Sequence, residues 1–202
     1  IARGVNFIPT LTATAHDDVL AGIDINPTFS NGNFLRVANY GIRVQGVGIG
    51  TGGGNINTNT TVGNVALRDN TTGIQNSSFG QMSSMFNTTG SRNTAVGTQA
   101  LKNNDIGSDN TAIGYSTMQG DGSRSNNTAI GSLSQGAASG TFTNTSNTSV
   151  GYNSLNANTT GYGNVAVGNQ TLQNNTTGDR NTALGDVALN SNTTGTYNTA
   201  IG

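Results

Sequence analysis

The residues that could carry acid–base chemistry are few and widely spaced in this sequence. His16, the only histidine, stands beside Asp17 and Asp18, where a carboxylate could orient an imidazole that acts as a base. A lone histidine beside such residues is more typical of a turn, and we interpret the segment as one. Glutamate is absent and the aspartates are dispersed, so the paired carboxylates of a polysaccharide-degrading enzyme are not expected. The sequence therefore predicts that the chain is not an enzyme.

Cofactor and metal motifs are incomplete. Gly48, Gly50 and Gly53 have the spacing of a dinucleotide-binding loop, but residues 55–59 cannot open the helix whose amino terminus would hold a phosphate. We interpret these glycines as a flexible junction between strands. Calcium-binding solenoids have a regular Gly-Gly-x-Gly-x-Asp order, which the aspartates in the repeat loops do not follow. These aspartates are Asp105, Asp109, Asp121, Asp179 and Asp186. Because cysteine is also absent, we expect neither a cofactor nor a metal.

A group of aromatic residues offers a different chemistry, the binding of a sugar. Sugars are commonly held by an aromatic face together with nearby amides, and this sequence is rich in asparagine. The candidate residues of a surface glycan site are Tyr115, Phe142, Tyr152, Tyr162 and Tyr197. The alternative is that these rings stack and stiffen the molecule, and the sequence leaves both interpretations open.

The composition argues against an ordinary globular core. Apolar residues are 32% of the chain and charged residues 8%, against about 45–50% and about 25% in typical domains. Gly, Thr, Asn and Ser dominate, which favours strands, turns and hydrogen-bonded ladders over helices. Eight basic and nine acidic residues are scattered singly, so no basic stripe exists for phosphates or anionic lipids. Neither a nucleic acid nor a membrane is an expected partner.

From residue 56 onward the chain is a repeat, which is anchored by a glycine. The anchor glycines are Gly63, Gly80, Gly97, Gly114, Gly131, Gly151, Gly168, Gly185 and Gly202. Seven of the eight intervals are 17 residues, and the eighth, from Gly131 to Gly151, is 20. The three additional residues leave the phase unchanged on both sides. We therefore expect them to lie in a loop within residues 136–141.

An asparagine stands four residues before every anchor glycine. Its nine copies are Asn59, Asn76, Asn93, Asn110, Asn127, Asn147, Asn164, Asn181 and Asn198. Identical residues at a fixed period stack directly when each repeat is one coil of a solenoid. We expect these side-chain amides to form a structural ladder, each bonding to the next.

Apolar residues form two further columns. In the unit Asn93 to Gly97, strand alternation places Thr94 and Val96 on one face and the Asn, Ala and Gly on the other. We expect the Thr and Val face to point inward, and the small face to let neighbouring backbones approach closely. The second column is a Leu or Met four residues after most anchors, interrupted at Ser84 and Gln135. Such a thin core favours association of several chains.

These columns predict an all-β fold, a parallel β-solenoid of 17-residue coils over residues 56–202. Stacking at about 4.8 Å per coil would give a rod of roughly 38 Å. The turn Asn-Thr-Thr-Gly closes many coils, with glycine free to take a positive φ. Residues 1–55 lack the repeat and read as extended segments, which predicts a β-rich N-terminal adaptor.

The units Asn-Thr-Ala-Val-Gly and Asn-Val-Ala-Val-Gly, with the following Ala-Leu and Asn-Thr-Thr-Gly, resemble the head repeats of trimeric autotransporter adhesins and the repeats of phage tail fibres. The resemblance covers residues 59–202, and the repeat length is closer to the fibres. It implies a left-handed β-roll and a homotrimer located outside the cell, on a virion or a bacterial surface. The implied partners are copies of the chain itself, other virion or cell-surface components, and a host-surface glycan or protein receptor.

Three functions follow from these observations. A phage tail fibre for host recognition and attachment explains the repeat, the rod and the trimer together. The first alternative is a bacterial surface adhesin head of the trimeric autotransporter type. The second is a monomeric solenoid that binds ice or carbohydrate, for which a regular column of threonines, including Thr94, Thr111 and Thr128, would order water if it faced outward.

Overall fold

The structure is a computed structural model that describes residues 43–44, 47–120, 122–136 and 142–202. The chain divides into two units, Ile1–Arg36 and Val37–Gly202, and all described residues belong to the second. Most of the predicted N-terminal adaptor, with the His16 segment, lies outside the described residues. So do Asp121 and all but the first residue of the insertion predicted to form a loop.

The described residues form one sheet of eleven strands that follow one another in sequence order. Two short strands, β1 (Arg43–Val44) and β2 (Val47–Gly50), form an antiparallel hairpin, and a 3-10 turn at Gly53–Asn55 leads into the repeat. The strands of the repeat are β3 (Thr60–Val62), β4 (Ser77–Phe79), β5 (Thr94–Val96), β6 (Thr111–Ile113), β7 (Thr128–Ile130), β8 (Thr148–Val150), β9 (Val165–Val167), β10 (Thr182–Leu184) and β11 (Thr199–Ile201).

Each repeat strand pairs in parallel with the equivalent strand of the next coil. Ala95 is opposite Ala112, and Val96 is opposite Ile113. The register is also kept across the longer coil, where Thr128 is opposite Thr148. The predicted all-β fold, a parallel β-solenoid with coils of about 17 residues, is confirmed.

The interior of the solenoid is narrow and contains two stacks of side chains. One stack is the middle residue of each strand, usually alanine, which is fully buried in β5, β6, β7, β9 and β10. The other is the predicted Leu and Met column, fully buried at Leu67, Leu101, Met118, Leu155 and Leu172. Small residues such as Ser83 and Thr117 precede this column and are also buried. Two small side chains and, in most coils, one large apolar side chain therefore fill the core.

The prediction that the Thr and Val face points inward is wrong. In β6 the middle residue Ala112 is fully buried, whereas Ile113 is 38% exposed and Thr111 is partly exposed. Alternation correctly identified which residues share a face but could not say which face is inside. The interior position of each repeat strand is held by alanine, serine or threonine, and the larger apolar residues that follow it face outward.

The coils turn through residues with positive φ at recurring positions. The anchor Gly114 has a φ of 137°, and a Cβ there would lie 2.6 Å from the carbonyl oxygen of Gly131 in the next coil. Non-glycine residues adopt the left-handed conformation two and four residues after the anchor, as at Gln99 (φ 61°) and Leu101 (φ 50°). This conformation costs about 1–2 kcal/mol per residue, which the close packing of the coils offsets.

The hairpin covers the first coil of the solenoid. Strand β2 pairs antiparallel with β3, with Ile49 opposite Val62. The backbone N–H of Gly53 then donates to the carbonyl oxygen of Leu67 at 2.8 Å. A Cβ on Gly52 would lie 2.7 Å from the same carbonyl oxygen, so a larger residue would not fit. The glycines of the apparent dinucleotide motif therefore lie in β2 and in a closely packed turn between strands.

Candidate functional site

The predicted asparagine column lies in the interior, where each residue joins two coils. The Oδ1 atom of Asn93 accepts the backbone N–H of Asn110 at 3.1 Å, and the side-chain amide of Asn110 at 3.0 Å. The Nδ2 atom of Asn93 donates to the carbonyl oxygen of Gly107 at 2.8 Å, which ties the start of the coil to its end. The equivalent backbone bond is present at every step of the column, with distances of 2.8–3.1 Å.

A second asparagine column was not predicted as a ladder. It consists of the first residue of the turn, including Asn70, Asn87, Asn104, Asn158, Asn175 and Asn192. Asn87 donates to the carbonyl oxygen of Gly90 and to Oδ1 of Asn70, each at 3.0 Å. The signal was the same 17-residue period, which sequence reasoning assigned to turns alone. Asn70, Asn87, Asn158 and Asn175 are buried, so their Asn-Thr-Thr sequences are not accessible glycosylation sites.

The outward face of the sheet carries a continuous apolar column. We call it the apolar stripe, and its members are Val62, Phe79, Val96, Ile113, Ile130, Val150, Val167, Leu184 and Ile201. Several are well exposed, with Ile113 and Ile130 each at 38%. A column of mainly threonine runs beside it, because the first and third residues of each strand share a face. The chain thus presents a regular, largely uncharged surface along every coil.

One predicted surface residue, Phe142, is fully buried instead. Its ring lies 4.1 Å from the guanidinium of Arg124, which is also buried and occupies the position of a turn glycine. Arg124 donates to the carbonyl oxygen of Gln135 at 2.6 Å. Gln135 stands where most coils have leucine, so the aromatic ring and the aliphatic part of the arginine fill interior space at the longer coil. Phe142 is therefore not part of a surface glycan site.

The candidate tyrosines form two groups on the surface. Arg180 lies over the rings of Tyr162 and Tyr197, at 4.6 and 5.3 Å from their centroids, and donates to the hydroxyl of Tyr197 at 2.6 Å. Tyr115 and Tyr152 lie in another column, directly after their anchor glycines, and are 56% and 50% exposed. The structure thus places Tyr162 with Tyr197, and Tyr115 in the same column as Tyr152.

Ion pairs are few on the described surface. Arg92 pairs with Asp109 of the next coil at 2.6 Å, and Arg68 pairs with its neighbour Asp69 at 2.7 Å. The hydrogen bond from each arginine lowers the pKa of its aspartate below the ordinary value of 3.8. Both pairs are exposed to solvent, so each stabilises the fold only slightly.

Within the described ranges, no group of three His, Cys, Asp or Glu residues is placed to hold a metal ion. The same residues include no helix long and apolar enough to cross a membrane. No protein-family model, curated protein or solved structure matches the chain. Its function must therefore be argued from the solenoid and its surface.

Proposed function

We propose that the chain is a non-catalytic extracellular fibre, a homotrimer that attaches a virion to its host in the manner of a phage tail fibre. The apolar stripe is the observation that carries this proposal. Large contiguous apolar surfaces on a soluble protein mark interaction sites. The stripe extends along the repeat strands, and at about 4.8 Å per coil it is roughly 38 Å long. Copies of the same chain, aligned side by side, have the matching period to cover it.

The interior gives a second argument for association. Most coils bury two small side chains and only one large apolar side chain, beside polar residues such as Asn93 and Asn104. Burying a large apolar side chain stabilises a fold by about 1.5–3 kcal/mol, so covering the stripe would add considerably to a thin core. The trimer number comes from the resemblance to fibre and adhesin repeats. A bacterial adhesin head would use the same surface in the same way.

Oligomeric mass tests this proposal. Light scattering should give three times the 20.5 kDa of one chain. Ile113→Asp and Ile130→Asp place a charge on the stripe and should reduce the mass to that of a monomer, because an unpaired charge is costly to bury. Ile106→Asp is the matched control, since Ile106 is 53% exposed away from the stripe and the variant should stay trimeric. A wild-type chain that is monomeric would contradict the proposal.

Attachment is tested separately from assembly. Fluorescently labelled trimer should bind to the surface of some strains in a panel of bacteria, and the monomeric Ile113→Asp variant should bind much more weakly because it has lost multivalency. The absence of binding across the panel, with the trimer intact, would leave a structural rod and contradict the attachment role.

Ice binding is a second candidate because the threonines face outward. Thr111 and Thr128 stand beside the stripe on the same exposed face, which gives two regular columns on a repeating surface. This face is available to ice only if other chains do not cover it. A monomeric mass together with thermal hysteresis, lost in Thr128→Tyr, would favour this function over the fibre.

A further inference from the structure

Tyr115 and Tyr152 are half exposed, and among the described residues their side chains make no hydrogen bond and no cation contact. By contrast, Arg180 contacts both Tyr162 and Tyr197. An exposed tyrosine with a free ring face and a free hydroxyl can bind a ligand through both. The two surface pairs therefore differ, one being an internal stack and the other open.

Ser132 lies between the two open tyrosines. The carbonyl oxygen of Tyr115 accepts the backbone N–H of Leu133 at 3.0 Å, and that of Ser132 accepts the N–H of Asn153 at 3.1 Å. Tyr115, Ser132 and Tyr152 thus occupy the same column in three successive coils. A small residue therefore stands between two half-exposed tyrosines in this column. We call this arrangement the tyrosine slot.

The width of the slot suits one ring. Two coil steps separate the attachment points of the tyrosines by about 9.6 Å. A ring inserted midway would lie about 4.8 Å from each tyrosine, within the 4.5–7 Å range over which stacked rings contact one another. A pyranose has the required thickness, with C–H groups on both faces. Its hydroxyls would find the Ser132 hydroxyl and the Asn153 amide, neither of which has a side-chain partner among the described residues.

The charge around the slot favours a neutral ligand. Between Asn110 and Asn164 the only charged side chain that the structure describes is Arg124, which is buried. A carboxylated or sulfated sugar would find no cation there to compensate its loss of water.

We propose that the tyrosine slot binds one pyranose unit of a neutral glycan, with the sugar between the two rings. This inference rests on the proposed attachment function, since it names the ligand class that the fibre would recognise. The slot begins two residues after Ile113 of the apolar stripe, so it lies at the edge of the surface that other chains would cover. The ligand would reach it from the solvent side.

Binding to defined oligosaccharides tests the slot. The probes are maltohexaose, cellohexaose and chitohexaose, with hexagalacturonate as the charged control, measured by saturation-transfer NMR and calorimetry on the full chain. At least one neutral probe should bind, and hexagalacturonate should not. Tyr115→Ala and Tyr152→Ala should each weaken binding at least tenfold, and the double variant little further, because a slot needs both sides. Ser132→Phe fills the space between the rings and should abolish binding.

The matched controls are Tyr162→Ala and Tyr197→Ala, which should leave binding unchanged. The proposal would be overturned if the Tyr115→Ala variant bound the neutral probe as tightly as the wild-type chain does. It would also be overturned if hexagalacturonate bound more tightly than the neutral probes, or if no neutral probe bound. A smaller oligomeric mass for Tyr115→Ala would also overturn it, by showing that the tyrosine contacts another chain. If the slot fails while the trimer still attaches to bacteria, the attachment function stands and its ligand binds elsewhere.

Discussion

At the scale of single residues, the asparagines of the two columns are the main polar residues that stabilise the fold. Each amide of the first column accepts from the following coil and donates to the end of its own, so one side chain satisfies backbone groups that would otherwise be buried without partners. Leaving one such group unpaired costs about 1–3 kcal/mol. This double role explains why asparagine occupies this position in every repeat.

Asn127→Ala should therefore strongly destabilise the fold. The change removes the side-chain oxygen that accepts the backbone N–H of Asn147 at 2.9 Å. It also removes the side-chain amide that donates to the carbonyl oxygen of Asn144 at 3.1 Å. Two groups left unpaired predict a loss of about 2–6 kcal/mol, measured by thermal or denaturant unfolding. Asn174→Ala is the control, since the exposed Asn174 bonds only to Asn190 and should change stability little. Equal effects from the two variants would contradict the ladder.

Strained residues give a prediction of the opposite sign. Val187 has a φ of 59° and is exposed, although a β-branched residue is poorly suited to that conformation. In another coil the equivalent position is Asn153, with a φ of 53°. Val187→Asn should stabilise the fold by about 1 kcal/mol, and Asn153→Val should destabilise it by a similar amount. Backbone strain would be ruled out as the cause if both variants shifted the melting temperature in the same direction. It would also be ruled out if Val187→Asn lowered the melting temperature and Asn153→Val raised it.

At the scale of the coil, the sequence revealed the period, the strands and the residues that share each face. It could not reveal which face is inside, because larger apolar residues normally lie in a core and here they do not. Ala112 and Ile113 show this, since the smaller residue is buried and the larger one is 38% exposed. Phe142 was wrongly predicted to lie on the surface for a related reason. It packs against Arg124 of the preceding coil, and such a contact between coils is not visible in the local sequence.

The two apolar columns should respond differently to truncation. Leu101 is fully buried, so Leu101→Ala should cost about 2–5 kcal/mol of unfolding free energy, measured in a chain made monomeric by Ile130→Asp. Val96→Ala, on the outward face of the same coil, should cost well under 1 kcal/mol in that background, because Val96 is 37% exposed. A large effect of Val96→Ala in the monomer would mean that the outward assignment is wrong.

At the scale of the whole molecule, stability should depend little on pH. The pKa values of Asp69 and Asp109 are lowered in the folded chain. Each ion pair therefore stabilises the fold fully at a pH above the ordinary aspartate pKa, and this stabilisation is lost as the pH falls through the lowered pKa of the folded state. The melting temperature should therefore be constant between about pH 5 and 9 and decline slightly below about pH 4. His16→Gln controls for the single histidine, and Asp109→Asn should reduce the acid decline. A steep transition near neutral pH would contradict this.

The repetition also determines how the rod responds to mechanical load. The bonds between coils, from the strands and from both asparagine columns, join each layer to the next along the axis of the solenoid. A pull along that axis is therefore shared by all bonds of a layer at once, whereas a force that peels one end engages them singly. The solenoid should therefore resist tension along its axis better than it resists peeling, a property that the proposed attachment function would use.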